Sequence, residues 1–130
     1  NELLFVKRKV DEIKSEINQL ENNLGFLQKV INHLLGIAKT GDTEAFLADA
    51  TLLLEMTGII AISWQLLKAA VIAQKALNKE TIHEADSNFY HGKLAAMNYF
   101  FAYELIKVEG LAKRLLEENK VTVETKATWF

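Results

Sequence analysis

Between Leu3 and Ala38 apolar residues recur at alternating steps of three and four: Leu3, Val6, Val10, Ile13, Ile17, Leu20, Leu24, Leu27, Ile31, Leu34 and Ala38. That is the a/d pattern of a heptad repeat. Lys7, Arg8, Lys9, Asp11, Glu12, Lys14, Glu16, Glu21 and Lys29 lie between them as a solvated charged face. The spacing predicts a helix over about residues 2–39. Such a seam serves either a coiled coil between chains or one antiparallel helix of an intramolecular bundle. The bundle is the preferred reading, because two later segments also carry apolar faces that need cover. Gly25 and Gly36 each weaken the helix by about 1 kcal/mol relative to alanine.

Lys39-Thr40-Gly41-Asp42-Thr43 reads as a stop followed by a start. Gly41 suits the left-handed residue that closes a helix, and Asp42 or Thr43 can cap the next one. A second helix is predicted over about 43–78, roughly 50 Å long at 1.5 Å per residue. Its centre, Ala50 to Ala73, is apolar nearly all round, with only Glu55 and Lys68 charged. A helix with so little polar face has to be covered by the rest of the chain, by a partner or by lipid. The length would span a bilayer. Placing Glu55 and Lys68 in hydrocarbon costs about 2.5–3.5 kcal/mol each, so the reading prefers the central helix of a bundle to a membrane span. Its least apolar stripe is Ala48, Thr51, Glu55, Gly58, Ile62, Gln65 and Ala69.

Lys79 to Asp86 is polar and lacks a period, which predicts a loop, with Ser87 as the candidate cap of a third helix over about 88–119. Tyr90, Leu94, Met97, Phe101, Leu105, Val108, Ala112 and Leu115 would form its inward face. The last stretch, Val121 to Phe130, alternates apolar residues with threonine and reads as a short extended tail over 120–130, docked on the helices or on a partner.

Composition sharpens this picture. The chain of 130 residues contains no proline, where average usage would give about six. Proline breaks helix interiors, so its absence favours an all-helical chain. The hydrophobic fraction of 50% and charged fraction of 25% suit one globular domain over residues 1–130. A net charge of −2 with mixed signs offers no basic footprint for nucleic acid and no polybasic membrane anchor. The lack of cysteine excludes disulfides, thiolate zinc sites and cysteine nucleophiles, and is compatible with a reducing compartment. With no signal-peptide pattern, the predicted location is cytoplasmic. Asn1 opens directly onto helical pattern, so the chain is expected to be a fragment of a longer protein.

Candidate chemistry is sparse. Glu80-Thr81-Ile82-His83 has the E-x-x-H spacing of di-iron carboxylate bundles, but that site needs a second copy. The nearest, Asn88-Phe89-Tyr90-His91, has asparagine in place of the acid. His83, Glu84, Asp86 and His91 are close in sequence and could catch an adventitious ion. His33 is expected at the surface or boundary of the first helix. Glu55 and Glu104 are the acids expected to be part-buried, each without an evident partner. Phe89, Tyr90, Tyr99, Phe100, Phe101 and Tyr103 crowd into one short stretch. Core packing is the expected role, and a ligand pocket lined by the rings is the sharper alternative. No phosphate-binding glycine loop, nucleophile elbow or H-E-x-x-H is present.

Two stretches, GDTEAFLADATLLLEMTGIIAISWQLLKAA (Gly41 to Ala70) and NFYHGKLAAMNYFFAYEL (Asn88 to Leu105), carry a family resemblance. The Gly-Asp start, the apolar run with its tryptophan, and Phe89-Tyr90-x-Gly92-Lys93 ahead of an aromatic-rich helix resemble the C-terminal helical domain of long bacterial acyl-CoA dehydrogenases. The similarity is clear from Gly41 to about Leu116. Leu3 to Thr40 matches as a helix in the corresponding place. That family often has Leu-Pro near the centre of the last helix; here Leu105 is followed by Ile106, so a continuous helix is expected.

The resemblance implies a parent enzyme that uses FAD to introduce a double bond between the α and β carbons of an acyl-CoA thioester. In that family the glutamate base and the flavin contacts lie in the dehydrogenase core. No position of this chain matches them, so no catalytic, cofactor-binding or metal-ligating residue is assigned. The expectation is an all-α antiparallel bundle of three long helices with a short tail. It would be a non-catalytic accessory domain, whose partners are the rest of the dehydrogenase and a second subunit, not nucleic acid or membrane. Two alternatives remain open: a free-standing interaction module pairing through the heptad face, and a metal- or small-molecule-binding bundle.

Overall fold

The computed structural model describes residues 2–79 and 81–130, with side chains from Ile13 onward. All regular structure among them is helical: α1 (Glu2–Lys39), α2 (Thr43–Leu47), α3 (Ala50–Leu77), α4 (Glu84–Phe100), a π-helical turn (Phe101–Leu105), α5 (Lys107–Leu116), α6 (Val121–Glu124) and a 3₁₀ turn (Ala127–Trp129). Helix α3 contacts α1, α4, the π turn and α5, and α1 also packs against α5.

The turn after α1 follows from its glycine. Gly41 has φ +81°, a conformation in which a side chain is strained. Its N–H bonds the Ala38 carbonyl at 3.1 Å. Asp42 then caps α2, accepting from the Ala45 N–H at 3.1 Å. The helix predicted over 43–78 is interrupted at Ala48–Asp49, which form a turn. Asp49 leaves helical geometry (φ −119°, ψ 29°). Its carboxylate binds Arg114 of α5 at 2.9 Å, while its carbonyl accepts from the Leu52 and Leu53 N–H groups and so starts α3. A long-range ion pair has overridden local helical propensity at this point.

The inner face of α1 is not the full predicted seam. Leu20 and Leu34 are buried and Ile13 and Leu27 half-buried, as one track of the heptad requires. The second inward track is Glu16, Asn23, Val30 and Ile37, not Ile17, Leu24 and Ile31, which are 37%, 47% and 38% exposed. A shift of one residue turns a helical position by about 100°. Asn23 tolerates burial because its Nδ2 donates to the Gln19 carbonyl at 2.7 Å.

The third predicted helix begins earlier and is wound differently. Its start is Glu84, not Asn88, with His83 extended at the cap position and the Ser87 N–H bonded to the His83 carbonyl at 2.9 Å. Glu84 and Asp86 in the first turn complement the positive helix end. The expected continuous helix is instead α4 and α5, ending at Leu116, joined through the π turn. Met97, Phe101 and Leu105 are almost fully buried. Two successive steps of four overrun an α-helix of 3.6 residues per turn, and wider winding with i→i+5 bonds keeps all three side chains inward. Gln19 of α1 donates to the Phe101 carbonyl at 3.4 Å. After the turn, the Ile106 N–H reaches the Glu104 carbonyl, two residues back.

The tail is not extended. Asn119 Oδ1 accepts from the Val121 N–H at 2.9 Å, and the Lys120 carbonyl accepts from Val123 and Glu124. These bonds close α6 locally, and residues 117–130 stay exposed.

Ile60 is 4% exposed in the middle of α3. Ile60→Asp should cost at least about 3 kcal/mol, the scale of a buried uncompensated charge, and abolish the helical circular dichroism of the chain. Thr51→Asp, exposed in the first turn, should leave it unchanged. Ile106→Pro should cost under about 1 kcal/mol in urea unfolding, whereas Lys113→Pro inside α5 should cost about 3 kcal/mol.

Candidate functional site

Polar and apolar groups converge where the end of α1, α2, the start of α3, the end of α5 and α6 meet. Leu34, Ile37, Phe46, Leu53, Leu115 and Val123 line a cavity of about 320 Å³ there. Its rim holds Asp42, Asp49, Arg114 and Lys120. Arg114 Nη2 donates to Asp49 Oδ2 at 2.9 Å and to the Asn119 carbonyl at 3.0 Å. Its Nη1 is buried without a hydrogen-bond partner. Lys120 Nζ sits 3.9 Å from Asp42. These contacts fasten α2 and the tail over the cavity. A second cavity, about 520 Å³, opens between α1 and α5 beside Gln19, Asn23, Phe26, Leu105, Ile106 and Glu109.

The residues singled out from sequence are scattered. Glu80, the acid of the E-x-x-H match, lies outside the described residues. His83, Glu84, Asp86 and His91 are exposed. Among the described residues no group of three or more His, Asp, Glu or Cys side chains is placed to hold a metal ion. His33 is half-buried, at the boundary position expected of it, and its Nε2 is buried without a partner. Glu55 is exposed, not part-buried, because it falls on the outer side of α3. Glu104 is half-buried and has a partner: Lys107 Nζ at 2.8 Å. The hydrogen bond that Lys107 donates to Glu104, and then the carboxylate's charge, hold the Lys107 ammonium above its ordinary pKa.

The aromatic cluster divides. Phe101 is core, and Tyr90 and Phe100 pack against the core. Phe89, Tyr99 and Tyr103 are exposed. Tyr99 and Tyr103 stack at 4.9 Å, and Phe89 meets Tyr90 edge-on at 5.5 Å. Neither cavity above is lined by any of these six rings.

Exposed apolar side chains are the feature that sequence reasoning missed. Only eight of the 28 residues of α3 are buried. Leu54, Ile62, Trp64 and Ile72 are 75%, 50%, 53% and 65% exposed. Lys68 Nζ lies 4.8 Å from the Trp64 ring centre, a solvent-side cation–π contact. The stretch Thr43–Leu77 is long and apolar enough to cross a membrane by length and composition, although the turn at Asp49 divides it. The mild polarity of the stripe through Thr51, Glu55 and Gln65 was the signal of an outward face. The apolar neighbours of that stripe share the same exposure.

Asp49→Ala leaves the Arg114 guanidinium short of a partner, and should cost about 1–3 kcal/mol. Lys120→Ala, at an exposed pair, should stay within about 1 kcal/mol. Urea midpoints measure both.

A model of the acetyl-CoA dehydrogenase C-terminal-like family matches residues 4–126. The match takes in nearly all of α1, beyond the Gly41–Leu116 region where the resemblance was clear. No match to a curated protein was found. A family match from the first turn of α1 to the segment after α6 covers every long helix of the fold. The chain is a member of the acetyl-CoA dehydrogenase C-terminal-like domain family.

Proposed function

We propose that this chain is the accessory C-terminal domain of an FAD-dependent acyl-CoA dehydrogenase. In this reading it serves subunit assembly or docking and does no chemistry itself. The observation that carries the reading is the family match over residues 4–126. The apolar side chains left uncovered on α3 support a role in contact with another surface. Proton abstraction and hydride transfer to flavin would belong to the dehydrogenase core, in a cytoplasmic enzyme. In the folded domain, α1, α3 and the α4–α5 segment form three antiparallel layers. The Asp49–Arg114 pair supports this, joining the start of α3 to the end of α5.

The coiled-coil alternative is weakened by Leu20 and Leu34, since the α1 seam it needs is partly spent in the core. The metal alternative has no cluster to rest on among the described residues.

Two measurements test the proposal. Sequencing the reading frame that carries this chain should find a flavin-dehydrogenase core encoded upstream, and a frame without one overturns it. The purified 130-residue chain should show no flavin absorbance after incubation with FAD. Retained stoichiometric flavin would overturn the non-catalytic assignment.

A further inference from the structure

The cavity at the α2 end of the bundle has no part in the assembly reading. Five elements supply its apolar wall: Leu34 and Ile37 from α1, Phe46 from α2, Leu53 from α3, Leu115 from α5 and Val123 from α6. Its volume of about 320 Å³ falls within the range of small-molecule sites, about 300–1,000 Å³. Neither α2 nor α6 holds a buried residue. Leu47 and Val123, which line the cavity from these two helices, stay 55% and 38% exposed. Two short helices thus hold apolar side chains beside a space that the core of the chain does not fill.

The charges around the cavity select the head group of an occupant. Asp42, Asp49, Glu117, Glu118, Arg114 and Lys120 all line it. Both cations are engaged. Arg114 Nη2 donates to Asp49 and to the Asn119 carbonyl, and its Nη1 is buried, closed to a molecule entering from the mouth. Lys120 Nζ lies 3.9 Å from Asp42. Glu117 and Glu118 are exposed and form no ion pair among the described residues. An apolar space therefore opens beside two uncompensated carboxylates.

We propose that this cavity binds a small amphipathic cation, a primary amine with an alkyl body. The body lies among Leu34, Phe46, Leu53 and Leu115, and the ammonium reaches Glu117 and Glu118. Burial of the body supplies most of the affinity, about fourfold for each methylene removed from water. The carboxylates are exposed, so they set preference more than strength. A fatty carboxylate has the wrong sign, because its head would meet Glu117 and Glu118 with both cations already engaged. A neutral alcohol keeps the burial and forgoes the ion pair, so it ranks between the two. Every group in the site belongs to this chain, so the inference stands apart from the parent-enzyme reading.

The probes are octylammonium, 1-octanol and octanoate, which share one chain length and differ in head charge. Each is titrated into the 130-residue chain, whose core is built by its own helices, and followed by the NMR shifts of Phe46, Leu53 and Val123. Octylammonium should saturate with a Kd of about 0.1–1 mM. 1-Octanol should bind about threefold more weakly, and octanoate about tenfold more weakly or worse. Glu117→Gln with Glu118→Gln should bring octylammonium to within about twofold of 1-octanol and leave the helical circular dichroism unchanged. Ala45→Phe enlarges a half-buried lining residue of α2 and should abolish binding of all three. Val123→Trp should do the same from α6, and is the deciding variant where Ala45→Phe alters the circular dichroism. No saturable shift with octylammonium overturns the proposal, as does octylammonium binding that survives both filling variants. Octanoate or 1-octanol binding as tightly as octylammonium overturns the cationic assignment.

Discussion

Helix α3 carries more apolar surface than the rest of the chain covers, and the other elements are arranged around that excess. Met56, Ile59, Ile60, Leu67 and Ala70 meet α1, α4 and α5 on one side. Ser63 joins them with its hydroxyl satisfied, donating to the Ile59 carbonyl within the same helix. The opposite side keeps leucine, isoleucine and tryptophan in contact with water. Hydrophobic burial scales with the area removed from water, so this side holds free energy that folding of one chain does not collect.

Much of the fold was readable from spacing alone. The inward face of the last helical segment was, residue for residue, the face that packs, because large apolar side chains at helical steps have no competing use. Gly41 marked a turn because only glycine adopts its backbone freely. The α1 seam shows where spacing stops being enough. Ile17, Leu24 and Ile31 are more apolar than Glu16, Asn23 and Val30, yet the second set turns inward. The direction is fixed by α3 and α5, and Asn23 is accommodated through its bond to Gln19. Asp49 shows the same limit: its partner lies 65 residues away, beyond any local pattern. The alternation in the tail suggested extension, but a single Asn119 side chain redirects it into a helical turn.

The functional site was less legible, for a physical reason. Catalytic groups announce themselves by residue types that packing does not need. Here the informative residues are packing residues, so family membership could be read and chemistry could not. The histidines and acids near His83 were close in sequence but point into solvent. The aromatic cluster supplied core at Phe101 and surface at Tyr99 and Tyr103. What a partner would recognise depends on which apolar residues the bundle leaves uncovered, and that is a property of the assembled helices.

The π turn separates two things usually bound together in a helix, its direction and its hydrogen-bond ladder. With the Ile106 N–H already turned to Glu104, the backbone at that point has no regular bond left to protect. The resembled dehydrogenases often place proline at the corresponding step, and this chain places isoleucine. Either residue can follow Leu105, because the irregularity is fixed by Phe101 and Leu105 entering the core and by Gln19 holding the Phe101 carbonyl. Position 106 is thereby free to drift between a residue that forbids regular helix and one that permits it, while the helix axis on either side stays where packing has set it.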